Sequence, residues 1–199
     1  MKISDEQALE LLGTVIRRKI DISEDNLKTY FNFFERRTIS KREQILRAGE
    51  KSNQIFFVLK GCLRSYTIDA KGVEHVMLFG FEEYWINDLY SFLSNRPSAY
   101  FIDALEDTEV LVMSKEKSDQ SFLIVPCLER YFRLSIELAY VTVQNRLMAS
   151  HSETAEEKYT ALQVRYPTIE QRVPQHQIAS FLGITPESLS RIRKKMLQK

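Results

Sequence analysis

The sequence predicts an α+β fold in which helices precede a barrel of short β-strands, and a long helix and a helical hairpin follow it. Three observations support this prediction: strand-type apolar runs between about Thr38 and Met113, a glycine-free stretch after Pro126, and two short helical patterns joined through Gly183. The chain has 199 residues, 44% of them hydrophobic, so it is long enough to bury a core as one ordinary domain or two small ones.

The N-terminal segment from Ser4 to about Phe34 has a helical pattern. Ser23, followed by acidic residues, is a favourable N-cap ahead of the apolar Leu27 and Tyr30. We therefore expect helices before the barrel.

The strand-like runs are rich in aromatic and branched residues and lie at 55–59, 76–79 and 110–113. Turn signals that contain Gly49, Gly61 or Gly72 separate them. Short strands at this spacing predict an antiparallel barrel or sandwich.

A long helix is predicted from Pro126 to about Glu157, because this stretch has no glycine and no further proline. It carries two apolar stripes: Tyr131, Leu134, Leu138 and Val141 form one, and Phe132, Ile136, Ala139, Val143 and Leu147 form the other. A helix on the outside of one barrel needs a single stripe, so the second predicts packing against the same helix of a second subunit, in a homodimer. The alternative is that both faces are buried within one subunit.

Composition excludes several classes of protein. No stretch approaches the roughly 18 consecutive apolar residues of a membrane span, and the start of the chain (MKISDEQALE) is too acidic for a signal peptide, which predicts a cytoplasmic protein without membrane contact. Cys62 and Cys127 are too few for a disulfide framework or a metal cluster and are expected to be small buried hydrophobes. His75, His151 and His176 lack the spacing of metal ligands. No catalytic motif is present, so we expect neither an enzyme nor a cofactor.

Positive charge is concentrated at one end of the chain. Between Arg172 and Lys199 six lysines and arginines face Glu187 alone, a local balance of +5, whereas the whole chain carries +1 and the rest therefore −4. This asymmetry is typical of a phosphate-binding module attached to an acidic body. A composition break around Pro167 and Pro174 predicts a second domain from about Ser150.

The last segment contains the pattern of a helix-turn-helix. Gly183 is suited to the left-handed conformation that ends the first helix. Thr185 is a candidate cap for the second helix, with Pro186 at its first position. Small Ala179 lets the two helices pack closely.

The second helix is predicted to have two different faces. Leu189, Ile192 and Met196 recur at the spacing of an inner face, and Ser188, Arg191 and Lys195 recur on the opposite side. An exposed row of donors on such a helix suits the major groove of double-stranded DNA. The alternative is an ordinary helical hairpin that ends in lysines.

This helix pair, the long helix and three upstream segments (LRAGE at 46–50, FFVLKG at 56–61 and ALEDTEV at 104–110) together resemble the Crp/Fnr family of bacterial transcription regulators. The resemblance covers about Asp25 to Leu197. It implies a double-stranded β-helix (jelly-roll-like) barrel of the cyclic-nucleotide-binding type, a dimerising central helix and a winged helix-turn-helix. It further implies a sensor domain at 1–149, a DNA-binding domain at 150–199, and DNA, a second copy of the chain and RNA polymerase as partners.

The resemblance also assigns DNA contacts. Glu187, Ser188 and Arg191 fall where the family's recognition helix reads bases, while Pro186 takes the position of a frequent arginine. Gln175 and His176 begin the preceding helix, where phosphate contacts are expected. The other expected DNA-binding residues are Thr185, Lys194 and Lys195.

The ligand pocket departs from the family pattern. Ligand-binding members use a glycine, a glutamate and an arginine around the ribose and the cyclic phosphate, and Asn87, Asp88 and Ser98 stand there in this chain. Arg96 lies two residues before the missing arginine. The candidate pocket residues are Asn87, Asp88, Leu89, Arg96, Ser98 and Ala99. We expect no useful affinity for cyclic AMP, and the sequence does not name another effector.

Two functions are consistent with this sequence. The first is a sequence-specific DNA-binding regulator. The second is a small-molecule or protein-interaction sensor module whose C-terminal hairpin contacts a protein rather than DNA. A steep loss of DNA binding with added salt distinguishes the first from the second.

Overall fold

The computed structural model describes residues 2–196, and the chain divides into two compact units. The first unit runs to Ser65 and resumes from Phe79 to Leu138. The second unit combines Tyr66–Leu78 with the chain from Ala139 onward.

Two helices open the first unit, as predicted: α1 (Asp5–Arg17) and α2 (Glu24–Phe31). Both begin at a serine whose hydroxyl accepts a backbone N–H of the first turn, at 3.2 Å for Ser4 and 3.2 Å for Ser23. The predicted cap at Ser23 is confirmed.

The barrel region is built from short strands. They are β1 (Glu35–Ile39), β2 (Gln44–Leu46), β3 (Gln54–Lys60), β4 (Leu63–Ile68), β5 (Glu74–Gly80), β6 (Trp85–Ile86), β7 (Phe101–Ala104) and β8 (Thr108–Ser114). These strands form two four-stranded sheets, with strand orders β1-β8-β3-β6 and β2-β7-β4-β5. The short helix α3 (Leu89–Ser94) follows β6. The predicted strand runs at 55–59, 76–79 and 110–113 lie in β3, β5 and β8.

The core of the first unit explains why β3 is an uninterrupted apolar run. Ile55, Phe57 and Leu59 belong to one hydrophobic cluster with residues of α1 and α2. Phe56 and Val58, which point to the other face of the strand, are also buried. A strand that is covered on both faces loses the alternation of a half-exposed strand.

After α4 (Lys115–Ile124), the predicted long helix is α5 (Cys127–Ser152). Its first turns are buried at Leu128 and Tyr131, but most apolar side chains from Ile136 onward are exposed, including Val143 at 64% and Leu147 at 56%. Each stripe therefore has exposed members in a single subunit. The alternative that both faces are buried within one subunit is wrong.

The helix ends earlier than predicted. The pattern suggested continuation to about Glu157, whereas α5 ends at Ser152 and α6 (Ala155–Arg165) starts anew. Thr154 and Glu157 form a capping box, in which each side chain accepts the backbone N–H of the other, at 3.3 and 2.8 Å. This reciprocal cap stabilises a new helix start.

The remaining helices of the second unit are α7 (Ile169–Arg172), α8 (Gln175–Leu182) and α9 (Pro186–Met196). They share an apolar core with α6 that contains Tyr159, Leu162, Ile169, Ile178, Ala179, Leu182 and Leu189. Between residues 139 and 196 the described chain contains no strand, so the wing of the predicted winged helix-turn-helix is not confirmed.

Among residues 2–196, no helix has both the length and the hydropathy that a membrane span requires. Nor do the described residues include a group of three histidine, cysteine or acidic side chains arranged to hold a metal ion. Cys62 is buried and Cys127 partly buried, and within residues 2–196 neither forms a disulfide bond.

Candidate nucleic-acid interface

The turn between α8 and α9 has the geometry that the sequence predicts. Gly183 adopts φ of 69° and its N–H donates to the Ser180 carbonyl at 3.1 Å. A β-carbon on Gly183 would meet nothing within 4 Å, so the left-handed conformation, and not space, favours glycine. The Thr185 hydroxyl then accepts the Ser188 N–H at 3.2 Å and caps α9, whose first residue is Pro186.

The predicted inner face of α9 is also confirmed. Leu189 is fully buried, and Ile192 and Met196 are half-buried. Ala179 of α8 is fully buried as well, which is consistent with its role in close helix packing.

The opposite side of α9 presents polar groups to solvent. Arg191 and Lys194 are exposed, and the Arg191 guanidinium donates to the Ser188 hydroxyl at 3.2 Å. Glu187 is exposed, and hydrogen bonds from its own N–H and from the Thr185 hydroxyl, with the charge of Arg191, hold its pKa below the usual value. This side of α9 therefore offers both donors and an ionised acceptor, the groups that read base edges.

Two other cations of α9 are engaged by carboxylates. Arg193 donates to Glu170 at 2.9 Å, and Lys195 donates to Glu156 at 2.5 Å. Lys195, which the sequence assigned to DNA, is thus held by α6 in this structure. Lys199, the last cation of the basic segment, lies outside the described residues.

At the start of α8, Gln175 and His176 are exposed, as is expected for phosphate contacts. Pro174 precedes them at the N-cap and has no N–H to satisfy. The first N–H groups of a helix attract anions, which adds to the suitability of this end for a phosphate.

An anchoring contact that the sequence does not indicate lies within the second unit, between α8 and the segment Tyr66–Leu78 of the β4–β5 hairpin. The Ser180 hydroxyl accepts the Val76 N–H at 3.0 Å and donates to the Glu74 carbonyl at 2.9 Å. Strand β5 is at the edge of its sheet, so Ser180 satisfies backbone groups that lack a neighbouring strand.

Arg146 strengthens the same contact. Its guanidinium lies 4.1 Å from the Phe181 ring centroid, donates to the Phe181 carbonyl at 2.9 Å and also donates to the Met77 carbonyl. Burial lowers the pKa of Arg146 from its ordinary value. No local sequence signal indicates the contacts with the hairpin, because the residues that form them are about 70 or more positions apart in the chain.

In the first unit, the candidate pocket residues carry unpaired polar atoms. Asp88 is 4% exposed and caps α3 through Oδ1, which accepts the Ser91 N–H at 3.2 Å. Its Oδ2 and the Nδ2 atom of half-buried Asn87 are buried without a hydrogen-bond partner among the described residues. Leu89 and Ala99 are exposed.

The two residues near the missing arginine differ in their surroundings. Arg96 is exposed, and its carbonyl accepts the Ser91 hydroxyl at 2.5 Å. Ser98 is buried, and its hydroxyl accepts the Tyr100 N–H at 2.9 Å. Neither supplies a buried positive charge.

A buried cation does exist in the sheet β2-β7-β4-β5, but a carboxylate neutralises its charge. Arg64 on β4 makes a bidentate ion pair with Asp103 on β7, at 2.8 and 2.9 Å, and both residues are buried. No sequence signal indicates this pair, since each charge lies alone in an apolar run.

A cleft of about 200 Å³ opens in the first unit. This volume is below the roughly 300–1,000 Å³ of typical small-molecule pockets. It is lined by Ile45, Leu46, Glu50, Lys51, Ser52, Asn53, Gln54, Phe56 and Ile102.

Residues 36–122 match the family model of the cyclic nucleotide-binding domain. The chain is 25% identical over 185 residues to the regulatory protein HlyX of Actinobacillus pleuropneumoniae, covering 86% of this chain and 75% of HlyX. It is 22% identical over 172 residues to the transcriptional activator protein FnrA of Stutzerimonas stutzeri, covering 78% of this chain and 68% of FnrA.

Among solved structures, FixK2 from Bradyrhizobium japonicum has the same fold, with a TM-score of 0.70 and 16% identity over 83% of this chain and 85% of FixK2. The barrel, the helix pair with its Gly183–Thr185 turn and these relatives point the same way. Residues 36–122 form a cyclic nucleotide-binding type of domain, and the chain is similar to Crp/Fnr-type transcription regulators over most of its length.

Proposed function

We propose that this chain is a sequence-specific DNA-binding transcription regulator of Crp/Fnr type, with sensing in residues 1–149 and DNA binding in residues 150–199. One observation carries the proposal. The second helix of a tightly turned pair, α9, buries Leu189 and leaves Glu187, Arg191 and Lys194 exposed on its other side.

In this proposal α9 enters the major groove. Arg191 donates to a guanine, which it reaches as a planar pair of donors, and Glu187 accepts from a cytosine amino group. Gln175, His176 and Lys194 contact phosphates and set the position of the helix on the duplex. A wing, which the family resemblance implies, would add phosphate contacts but is not needed for reading bases.

The proposal includes a homodimer. Exposed apolar residues on α5 recur at alternating spacings of four and three, the pattern of a coiled-coil seam. These residues are Ile136, Tyr140, Val143 and Leu147. A two-fold dimer presents two copies of α9, so the operator is expected to be a palindrome with half-sites about one helical turn apart.

We further propose that the barrel does not bind cyclic AMP. A cyclic phosphate that enters an apolar site loses its hydration and needs a paired cation, and without one the cost is several kcal/mol. Ser98 is neutral, Arg96 is exposed, and Arg64 already pairs with Asp103. The buried carboxylate of Asp88 adds negative charge, which opposes an anion further.

The proposal places the protein in the cytoplasm, with double-stranded DNA and RNA polymerase as partners and with no enzymatic activity or bound cofactor.

The test is selection of duplexes from a randomised pool by the full chain, followed by anisotropy titrations across a salt series. We expect an enriched palindrome, and a log-log slope of affinity against salt near −0.9 for each phosphate contacted. Lys194→Ala should make that slope shallower, whereas Lys41→Ala, which removes an exposed lysine of the first unit, should not. Failure to enrich any sequence would contradict the proposal and favour the protein-contacting sensor module.

A further inference from the structure

The cations of α9 fall into two groups. Arg191 and Lys194 are exposed and form no ion pair within residues 2–196, whereas Arg193 and Lys195 are each bound to a carboxylate. All four charges look equivalent in the sequence, so the carboxylates decide which of them face solvent.

Glu170 of α7 accepts three hydrogen bonds. Its Oε2 accepts from Arg193 at 2.9 Å, and its Oε1 accepts from Gln163 Nε2 at 2.8 Å and from the Tyr159 hydroxyl. Tyr159 and Gln163 are four residues apart on α6, and therefore on the same face of that helix. Hydrogen bonds from α6 therefore hold the Glu170 carboxylate at the position where Arg193 of α9 contacts it.

Glu156 of α6 provides the second contact, to Lys195. In an α-helix two residues correspond to a rotation of about 200°, so Arg193 and Lys195 project from opposite flanks of α9. Leu189, on the buried face, lies between these flanks. Glu170 therefore holds one side of α9 through Arg193, and Glu156 holds the other side through Lys195.

An apolar face restrains rotation only weakly, because hydrophobic contact has no direction. Charge-assisted hydrogen bonds have defined lengths and angles and so fix an orientation. The Arg193–Glu170 pair is the less exposed of the two, with side chains 29% and 28% exposed, while Lys195 is 61% exposed.

We propose that Glu170 and Glu156 form a carboxylate clamp that sets the rotation of α9 about its axis and thereby determines which side chains reach the base edges. They are positioning residues, and this inference rests on the proposed DNA-binding function. The clamp keeps Arg191 and Lys194 outward and withholds Arg193 from the DNA. Lys195 is released to a phosphate only when its contact with Glu156 breaks.

The first experiment compares Glu170→Gln with wild type in full-length protein. The probes are the duplex that wild type enriches from a randomised pool and a scrambled duplex of the same length. We expect the ratio of the two affinities to fall about tenfold, while affinity for the scrambled duplex does not fall, because the released Arg193 adds a positive charge that can contact phosphate. Glu153→Gln removes a similar charge from an exposed residue of the same unit and should leave the ratio unchanged.

Selection repeated with Glu170→Gln supplies a readout that a merely structural role does not move. A rotated helix presents different side chains, so the preferred base opposite Arg191 should change. A different result would overturn the proposal: affinity for both duplexes falls by the same factor, the consensus is unchanged and the Tm of the protein is lower. Glu170 would then act only on the stability of the fold.

Arg193→Gln tests the clamp from the other side, and its partly exposed position makes it tolerant to substitution. The double variant combines Arg193→Gln with Glu170→Gln. If the two residues act through their mutual contact, it should discriminate between the two duplexes no worse than the less selective of the two single variants. Additive losses would contradict the clamp.

Glu156→Gln should release Lys195, raise affinity for the scrambled duplex and steepen the salt slope by about one unit per subunit. An unchanged slope would remove Glu156 from the clamp. The two proposals fail differently: a wild-type chain that enriches no duplex refutes DNA binding, whereas selective wild-type binding with an unaltered ratio in Glu170→Gln refutes only the clamp.

Discussion

Replacing Arg191 by alanine is the most direct test of the proposed base-reading face of α9. Arg191 is exposed, and the Ser188 hydroxyl at 3.2 Å is its one hydrogen-bond partner among the described residues. It lies two positions after the buried Leu189, and so on the outer side of the helix. Truncation therefore removes the proposed DNA contact while leaving the packing of the helix pair in place.

The magnitude follows from the chemistry of that contact. A bidentate arginine–guanine pair contributes about 1–3 kcal/mol to discrimination against a wrong base. A two-fold dimer uses Arg191 twice, so specific binding should weaken by about 2–6 kcal/mol, roughly 30-fold to 10⁴-fold in Kd. Affinity for scrambled DNA should change far less.

Anisotropy titration of the enriched and scrambled duplexes measures both effects, and substitution at each base pair locates the relaxed position. Lys194→Ala is the comparison: loss of a phosphate contact lowers affinity for both duplexes alike and reduces the salt slope by about one unit per subunit. If Arg191→Ala weakened both duplexes equally, the reading face would lie elsewhere on the helix.

Three further predictions concern stability, assembly and sensing. Tyr30→Phe should raise the free energy of unfolding by about 1 kcal/mol, because the buried Tyr30 hydroxyl has no hydrogen-bond partner among the described residues. Burial raises the Tyr30 pKa well above 10.0, so wild-type stability falls as pH rises past about 10 and the advantage of Phe, seen in urea titrations, should widen there. Val143→Glu should convert the dimer to a 23.4 kDa monomer in sedimentation, whereas Leu123→Glu, an exposed apolar site outside α5, should not; a wild-type monomer at micromolar concentration would refute the dimer. Cyclic AMP should leave the Tm of wild type unchanged, and micromolar binding that disappears in Arg96→Ala would show that this exposed arginine enters the pocket.

Local chemistry was enough to predict the helix-turn-helix. Gly183, Thr185 and Pro186 act on their own backbone and on neighbours within a few residues, so their spacing determines the turn. The Ser23 cap and the buried strand around Phe57 are similar cases. Recurring apolar residues also identified the inner face of α9, since helical geometry converts spacing directly into a face.

The end of α5 was predicted less well. Propensity alone favours continuation beyond Ser152, because no glycine or proline intervenes. The capping box of Thr154 and Glu157 outweighs this preference, and it was a signal that the sequence already contained.

Only the tertiary structure decided how the charges are paired. Arg193 pairs with Glu170, which is 23 residues away in the chain. Lys195 pairs with Glu156, and Arg64 with Asp103, each across 39 residues. Spacing says nothing about such partners, because a charged side chain interacts with whatever the packing of other elements brings near it. A run of basic residues therefore predicts an affinity for phosphate, but packing determines which of them are free to contact it.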